Sequence, residues 1–139
     1  MTEEQQLNTE LTEMIHTFMP LAKKLGLEVL EGSPEKAVTR ALWDADHCTA
    51  GGILHGGYYM AIADTTGAAC AGMSLPQGAM MTTIESKTNF FRGVASGVII
   101  ATAIPVHIGR TTIVVQTDIT NDKGKLVSRT IQTQAIIKS

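Results

Sequence analysis

The chain has 139 residues, 44% of them hydrophobic and 17% charged, and its formal net charge is −2. This size and composition suit a single domain over residues 1–139 with a proper core. The interspersed charges offer neither a basic field for nucleic acid nor a polybasic patch for a membrane. Because residues 1–13 are polar and acidic and no apolar run reaches a transmembrane length, we expect a cytoplasmic protein.

The first third of the chain predicts one helix and two strands. Apolar residues recur at spacings of four, four, three and three from Leu7 to Leu21, which predicts an amphipathic helix over residues 3–24 of an N-terminal segment 1–24. Strand-like stretches follow at 27–30 and 37–43. A polar loop then precedes the next predicted element.

The remainder predicts a long apolar helix over residues 55–72 and then four strands. Turn residues separate the strands, so antiparallel pairing in consecutive order is the simplest topology. The predicted strands cover roughly 79–91, 97–107, 110–121 and 125–137. We therefore expect an α+β domain whose sheet curls around the helix.

His55-Gly56-Gly57 stands at the start of the long helix. A helix N-terminus presents unpaired N–H groups and partial positive charge, and glycine lets a ligand oxygen approach the backbone closely. The motif is a candidate oxyanion hole. The alternatives are that the glycines serve only close helix packing and that His55 is a packing residue.

Asp64 is a lone acid within this apolar helix, where a carboxylate is unfavourable unless it has partners or a function. Alternatively, Asp64 could cap a second helix after a break, since Asp64-Thr65-Thr66-Gly67 also suits a turn. In an unbroken helix, Asp64 and Gly56 are separated by roughly 12 Å. They can serve one ligand only if two subunits place their helices antiparallel across a two-fold axis, which predicts an obligate dimer.

Four segments together resemble the hotdog-fold acyl-CoA thioesterases, in particular the phenylacetyl-CoA-type (PaaI-like) subgroup. The resemblance implies a single-domain hotdog fold, with an antiparallel sheet wrapped around a long central helix. It also implies a homodimer or homotetramer, an acyl-CoA substrate, and no cofactor besides the coenzyme A of that substrate. The segments are Gly52–Gly57 with Asp64, Thr82–Arg92, Val106–Arg110 and Asp122–Val127.

The resemblance also implies residue roles. The N–H of Gly56 would polarise the thioester carbonyl, and Asp64 of the partner subunit would act as nucleophile or general base, a choice that the sequence leaves open. Thr83 takes the position of a Ser or Thr near the acid, and His55 precedes the oxyanion glycine. The expected substrate and coenzyme A contacts are Gly57, Thr65, Ile84, Phe91, Arg92, Gly93, Val94, His107, Ile108, Gly109, Arg110 and Thr111.

Thr49 departs from the subgroup, which has Asn or Gln six residues before the histidine. Threonine is shorter and lacks an amide, so we expect the site for water to be altered. The leading expectation is hydrolysis of an aromatic or medium-chain acyl-CoA to the free acid and coenzyme A. The alternative is a catalytically weak acyl-CoA-binding module. No metal is expected, because no paired ligand motif organises the acids, histidines and cysteine near Thr49.

Overall fold

One long helix and six strands make up most of residues 6–138, which the computed structural model describes. Two short 3₁₀ turns, Ala45–His47 and Ala50–Gly52, lead into the long helix α3. None of the described helices is long and apolar enough to cross a membrane. The elements are α1 (Thr9–Phe18), α2 (Pro20–Lys24), β1 (Glu28–Gly32), β2 (Ala37–Leu42), α3 (Gly56–Gly72), β3 (Met80–Phe90), β4 (Val98–Ile108), β5 (Thr112–Thr120) and β6 (Leu126–Ile137).

The strands form one antiparallel sheet in the order β1-β2-β4-β5-β6-β3. Consecutive pairing is confirmed from β4 to β6, but it is wrong for β3, which pairs with β6 at the edge of the sheet. The link between β3 and β4 explains the difference. Val94 in this link is buried, and its carbonyl accepts a hydrogen bond from Leu54 N at 2.9 Å. The link is thus anchored to the loop before α3, and the chain crosses from the sheet edge to its middle.

The central helix α3 packs its apolar side against the sheet. Ile62 of α3 and Ile99 and Ile119 of the sheet are each at most 1% exposed and belong to one core cluster. Full burial of such a side chain contributes about 1.5–3 kcal/mol. This packing fixes the helix against the sheet, and with it the positions of the residues at its start and on its other side.

The N-terminal segment forms two helices rather than the single predicted helix. Pro20 is the first residue of α2, and Met19 before it has the non-helical angles φ −127° and ψ 84°. Proline lacks an N–H and disfavours a helical conformation in the preceding residue, so the helix must break there. Phe18 and Leu21, which flank the break, are exposed instead of facing the core. Residues 1–5 of the predicted segment lie outside the described residues.

Candidate active site

The start of α3 carries one uncommitted backbone donor. His55 is the N-cap, and its Nδ1 accepts the Gly57 N–H at 2.8 Å. A Cβ on Gly57 would lie 2.9 Å from this nitrogen, so the cap requires glycine there. The Gly56 N–H has no acceptor within residues 6–138. Of the two glycines, only Gly56 therefore has an N–H available to a ligand.

An aromatic ring lies beside this donor. A Cβ on Gly56 would lie 3.2 Å from Cε1 of Phe90, the last residue of β3. The Phe90 ring is 49% exposed, and its centroid is 6.2 Å from that of the Tyr59 ring. The donor at the helix start is thus bordered by an apolar surface that remains half open to solvent.

Asp64 lies two turns further along an uninterrupted helix, which excludes the alternative of a cap after a break. The separation from Gly56 of roughly 12 Å therefore holds. Contrary to the expectation of burial, Asp64 is exposed in the single chain. Its Oδ1 accepts from Gln132 Nε2 at 2.9 Å and faces Thr83 Oγ1 at 3.4 Å. Its Oδ2 has no hydrogen-bond partner among the described residues.

Two glutamines of β6 belong to this site, and sequence analysis missed them. Gln132 and Gln134 are at most 1% exposed. Gln134 Oε1 accepts from Thr83 Oγ1 at 3.0 Å, so the second glutamine reaches Asp64 through the threonine. The available signal was their alternation with Thr130, which puts polar side chains on the helix-facing side of a strand where apolar ones are usual.

Gly67, one turn beyond Asp64, provides space for Gln132. A Cβ at this position would overlap Gln132 Oε1, because the side chain of Gln132 passes directly over the helix backbone. Glycine inside a helix destabilises it by roughly 0.5–1 kcal/mol relative to alanine. The glycine thus makes the helix less stable, but it leaves the space through which Gln132 reaches Asp64.

The segments expected to contact coenzyme A lie at opposite ends of the sheet. Phe91 N donates to Val127 O, whereas Thr111 O accepts from Ile136 N. Val127 and Ile136 are nine residues apart on β6, which corresponds to about 30 Å. One chain therefore cannot bring Arg92, next to Phe91, and Arg110, next to Thr111, to the same group of a ligand.

The structure distinguishes the other expected contact residues within these segments. Ile84 is 63% exposed at a bulge in β3, whereas the Val94 side chain is buried and cannot contact a ligand at the surface. Gly93 packs on Ile53, and Arg92 Nε donates to Leu126 O at 3.4 Å. His107 and Ile108 are exposed, and the Gly109 N–H closes the following turn onto Thr112 O at 2.8 Å.

Thr49 and Thr65 make no hydrogen bond to the Asp64 carboxylate. Thr49 is exposed in the loop before α3, and its backbone N–H donates to Ile53 O at 2.8 Å. Thr65 Oγ1 donates to Ala61 O within the helix at 2.9 Å. Its side chain lines a small apolar cavity together with Leu11 and Met14 of α1. Thr65 therefore points toward the N-terminal helices.

Residues 6–138 contain no clustered metal site, and the buried Cys70 is not a nucleophile that competes with Asp64. No three His, Cys, Asp or Glu side chains there are grouped so as to hold a metal ion. Cys70 is buried in the core, and burial raises the pKa of its thiol. A thiol with a raised pKa stays protonated near neutral pH and is a poor nucleophile.

Comparison with known proteins assigns the family. Residues 51–128, more than half of the chain, match the Thioesterase superfamily. The chain belongs to this superfamily. The matched stretch contains Gly56, Asp64 and Thr83 but ends before Gln132 and Gln134.

Individual members agree over nearly the whole chain. The Bacillus subtilis protein named "Putative esterase ComA2" is 36% identical over 129 residues, which are 91% of this chain and 98% of the relative. Thioesterase HI1161 of Haemophilus influenzae superposes with a TM-score of 0.87 at 26% identity, over 99% of this chain and 96% of that one. A mutant of the phenylacetic acid degradation protein PaaI from Thermus thermophilus superposes with a TM-score of 0.77 at 28% identity, over 86% of this chain and 99% of that one. The hotdog fold and the PaaI-like resemblance are confirmed, and the protein is an enzyme of the thioesterase superfamily.

The cap geometry predicts that His55→Asn keeps the stability of this thioesterase, because asparagine also accepts an N–H at this position. His55→Ala should lower the free energy of unfolding by about 1 kcal/mol, because alanine has no acceptor. Urea unfolding of both variants measures the difference. Turnover of His55→Asn should stay within severalfold of the wild type. A loss of more than tenfold at unchanged stability would show that the imidazole ring has a chemical role beyond the cap.

Proposed function

We propose that the protein hydrolyses an aromatic or medium-chain acyl-CoA to the free acid and coenzyme A, at sites shared between the subunits of a homodimer. One observation carries the proposal: α3 holds an uncommitted Gly56 N–H at its start and an exposed Asp64 carboxylate two turns later. The Gly56 N–H suits the carbonyl oxygen of a thioester, and the Asp64 carboxylate suits attack at the carbonyl carbon, either directly or through water. Their separation of roughly 12 Å prevents one chain from using both on one substrate.

Two surfaces of the single chain support a dimer. β3 is an edge strand of 11 residues that leaves Met80 and Ile84 exposed, and a long edge strand of this kind can pair with a second chain. On α3, Met60, Asp64 and Ala68 form an incompletely buried stripe at four-residue spacing. A second copy of α3, antiparallel across a two-fold axis, would cover this stripe and set Gly56 beside the partner subunit's Asp64. A homotetramer would in addition cover exposed Val106 and Ile108 on β4.

The same antiparallel arrangement accounts for the split coenzyme A contacts. Phe91 and Arg92 lie at the Gly56 end of α3, and the turn from His107 to Thr111 lies at the other end. Antiparallel packing brings opposite ends of two subunits together. Arg92 of one subunit and Arg110 of the partner subunit would then offer cations to the phosphates of one coenzyme A.

The chemistry follows from these two groups. The thioester oxygen accepts the Gly56 N–H, and the positive end of the α3 dipole stabilises the negative charge that grows on this oxygen. Asp64 of the partner subunit either attacks the carbonyl carbon or takes a proton from a water that attacks it. If Asp64 attacks, the carbon–sulfur bond breaks, the thiolate of coenzyme A leaves and takes up a proton, and water then hydrolyses the acyl–Asp64 anhydride to release the acid and restore the carboxylate. If water attacks, the same bond breaks and the water oxygen becomes the new oxygen of the acid.

The aromatic surface at the helix start favours an aromatic acyl group. Phe90 lies against Gly56, and Phe91 is 56% exposed beside it. A flat acyl group on the carbonyl held by Gly56 would pack on these rings. The structural similarity to a phenylacetic acid degradation protein agrees with this preference, whereas a medium acyl chain would use the same apolar surface without ring stacking.

Replacing Asp64 tests the reaction. Asp64→Asn should stay folded and dimeric but lose at least ~10²-fold in kcat, because an amide can neither attack the thioester nor accept a proton from water. The measurement is release of free thiol from a panel of aryl and medium-chain acyl-CoAs. Glu85→Gln is the matched control, since it removes an exposed acid from β3 on the opposite face of the sheet and should retain activity. Near wild-type turnover by Asp64→Asn would refute the proposal.

Mixing two inactive variants tests the shared site. Gly56→Pro removes the N–H but suits the first position of a helix, and His55 already has the extended angles that precede proline. Subunit exchange between Gly56→Pro and Asp64→Ala should regain about a quarter of wild-type activity, since half of the dimers are mixed and each has one intact site. Native mass spectrometry would show whether the subunits exchange. If they exchange and the mixture stays inactive, Gly56 of one subunit and Asp64 of the other do not form a shared site.

The second candidate function is an acyl-CoA-binding module with weak or no turnover. Thr49 favours it, because a short hydroxyl replaces the usual amide and makes no hydrogen bond to Asp64.

Under the hydrolase proposal, Thr49→Asn raises kcat and Thr49→Val lowers it, because asparagine adds hydrogen bonds to water and valine removes them. Thiol release across the acyl-CoA panel measures this effect. Thermal stabilisation by acyl-CoA without thiol release in the wild type would favour the binding module, and equal activity of all three proteins would remove Thr49 from the site.

A further inference from the structure

Gln132 is a buried side chain whose only hydrogen bond in the described chain is to Asp64. We infer that Gln132 is a positioning residue: it reaches past Gly67 to hold Oδ1 of Asp64, so that Oδ2 is left to face the substrate. The inference deepens the proposed function and rests on it, because it requires Asp64 to be the reacting acid. It adds a residue that lies outside the stretch matching the superfamily.

The orientation of the Gln132 amide follows from its partner. Nε2 donates to Asp64 Oδ1 at 2.9 Å, and the reversed amide would set Oε1 against a carboxylate oxygen. Oε1 then remains buried with no partner in the described chain. An unsatisfied buried acceptor is unfavourable, and an apolar side chain of similar shape would avoid it. The presence of an amide here is explained by its Nε2 donor, whose partner is Asp64.

The backbone around Gln132 is adapted to this contact. Gly67 is the residue whose missing Cβ makes room for Gln132 Oε1, and Thr117 Oγ1 lies 3.3 Å from the position of that Cβ. Thr117 Oγ1 is also buried without a partner among residues 6–138. A helix glycine and two unsatisfied buried oxygens thus occur at one point under α3. The glycine and the unsatisfied Gln132 oxygen are accounted for if the Gln132 amide must reach Asp64.

Thr83 and Gln134 supply a second donor to the same carboxylate oxygen. The Thr83 hydroxyl has one proton and two acceptors within reach, Asp64 Oδ1 at 3.4 Å and Gln134 Oε1 at 3.0 Å. Gln134 Nε2 is buried without a partner in the described chain. With the Gln134 amide reversed, Nε2 donates to Thr83 Oγ1, and the hydroxyl donates to Asp64. Both donors then converge on Oδ1 and leave Oδ2 uncommitted.

In the described chain, uncharged donors rather than charged side chains therefore face the Asp64 carboxylate. α3 carries no other Asp, Glu, Lys or Arg. From the neighbouring strands Thr83, Gln132 and Thr117 face this part of the helix, whereas the register turns the charged residues of those strands to the outer side. Arg40 of β2 pairs with Glu28, and His107 lies at the far, exposed end of β4. The outward-facing charged residues are Glu85, Lys87, Asp118 and Arg129.

Gln132→Met tests the inference, since methionine keeps the shape and removes the donor. We expect kcat to fall about tenfold with KM within about twofold, because the substrate surface is untouched. The acidic limb of the kcat/KM–pH profile should move to higher pH, since a donated hydrogen bond favours the ionised carboxylate. Thr130→Val is the matched control: it removes a buried hydrogen bond, to Thr88, on the same face of β6 and should not move the limb.

Gly67→Ala gives a second route that does not touch Gln132 itself. The added Cβ displaces the amide, so this variant should show the same loss of kcat and the same shift of the acidic limb. In a Gln132→Ala background, Gly67→Ala should cause no further loss, because the displaced side chain is gone. This test stays valid even if Gln132→Met fails to fold.

The outcomes separate this inference from the proposed function. If Asp64→Asn is inactive while Gln132→Met and Gly67→Ala keep wild-type kcat and an unmoved acidic limb, the positioning role is wrong and the hydrolase proposal stands. If Asp64→Asn is active, both are wrong. Additive losses for Gly67→Ala and Gln132→Ala would also overturn the role of Gly67.

Discussion

The rigidity of α3 is the constraint on which the rest of the site depends. An unbroken helix of 17 residues holds the Gly56 donor and the Asp64 acid at a fixed separation of roughly 12 Å. Core packing of Ile62 against the sheet prevents the helix from bending to shorten it. A substrate carbonyl that needs a donor on one side and an acid on the other must therefore draw them from two copies of the chain. The edge strand β3 and the half-covered stripe of α3 are surfaces suited to a second copy.

Polar residues inside the domain arrange the acid. A hotdog domain of this size would be expected to fill the space between helix and sheet with apolar side chains, yet Gln132 and Gln134 are both buried there. Their unsatisfied atoms and the glycine at position 67 lower stability in exchange for a held carboxylate. Natural proteins commonly show such local conflicts at functional sites, where geometry matters more than packing.

The sequence predicted the elements well because their signals are local. Helix α3, its start at His55 and the strand ranges follow from periodicity and turn residues. Glycines at a helix start and a lone acid in an apolar helix singled out Gly56 and Asp64, and the family resemblance implied their roles. The place of β3 depends on the long-range contact of Val94 with Leu54, which no local pattern records. Likewise, the break at Pro20 was masked by a regular apolar spacing. The role of Gln132 required knowing that β6 passes under Gly67, 65 positions away in the chain.

A crystal structure of Asp64→Asn with an aryl-CoA thioester bound would test the shared site most directly. In that complex the thioester oxygen should lie within about 3 Å of Gly56 N of one subunit. The side chain at position 64 closest to the carbonyl carbon should belong to the other subunit, and Arg92 and Arg110 near the coenzyme A should come from different chains. A bound substrate whose carbonyl and coenzyme A contact residues of a single chain would contradict a site shared between subunits.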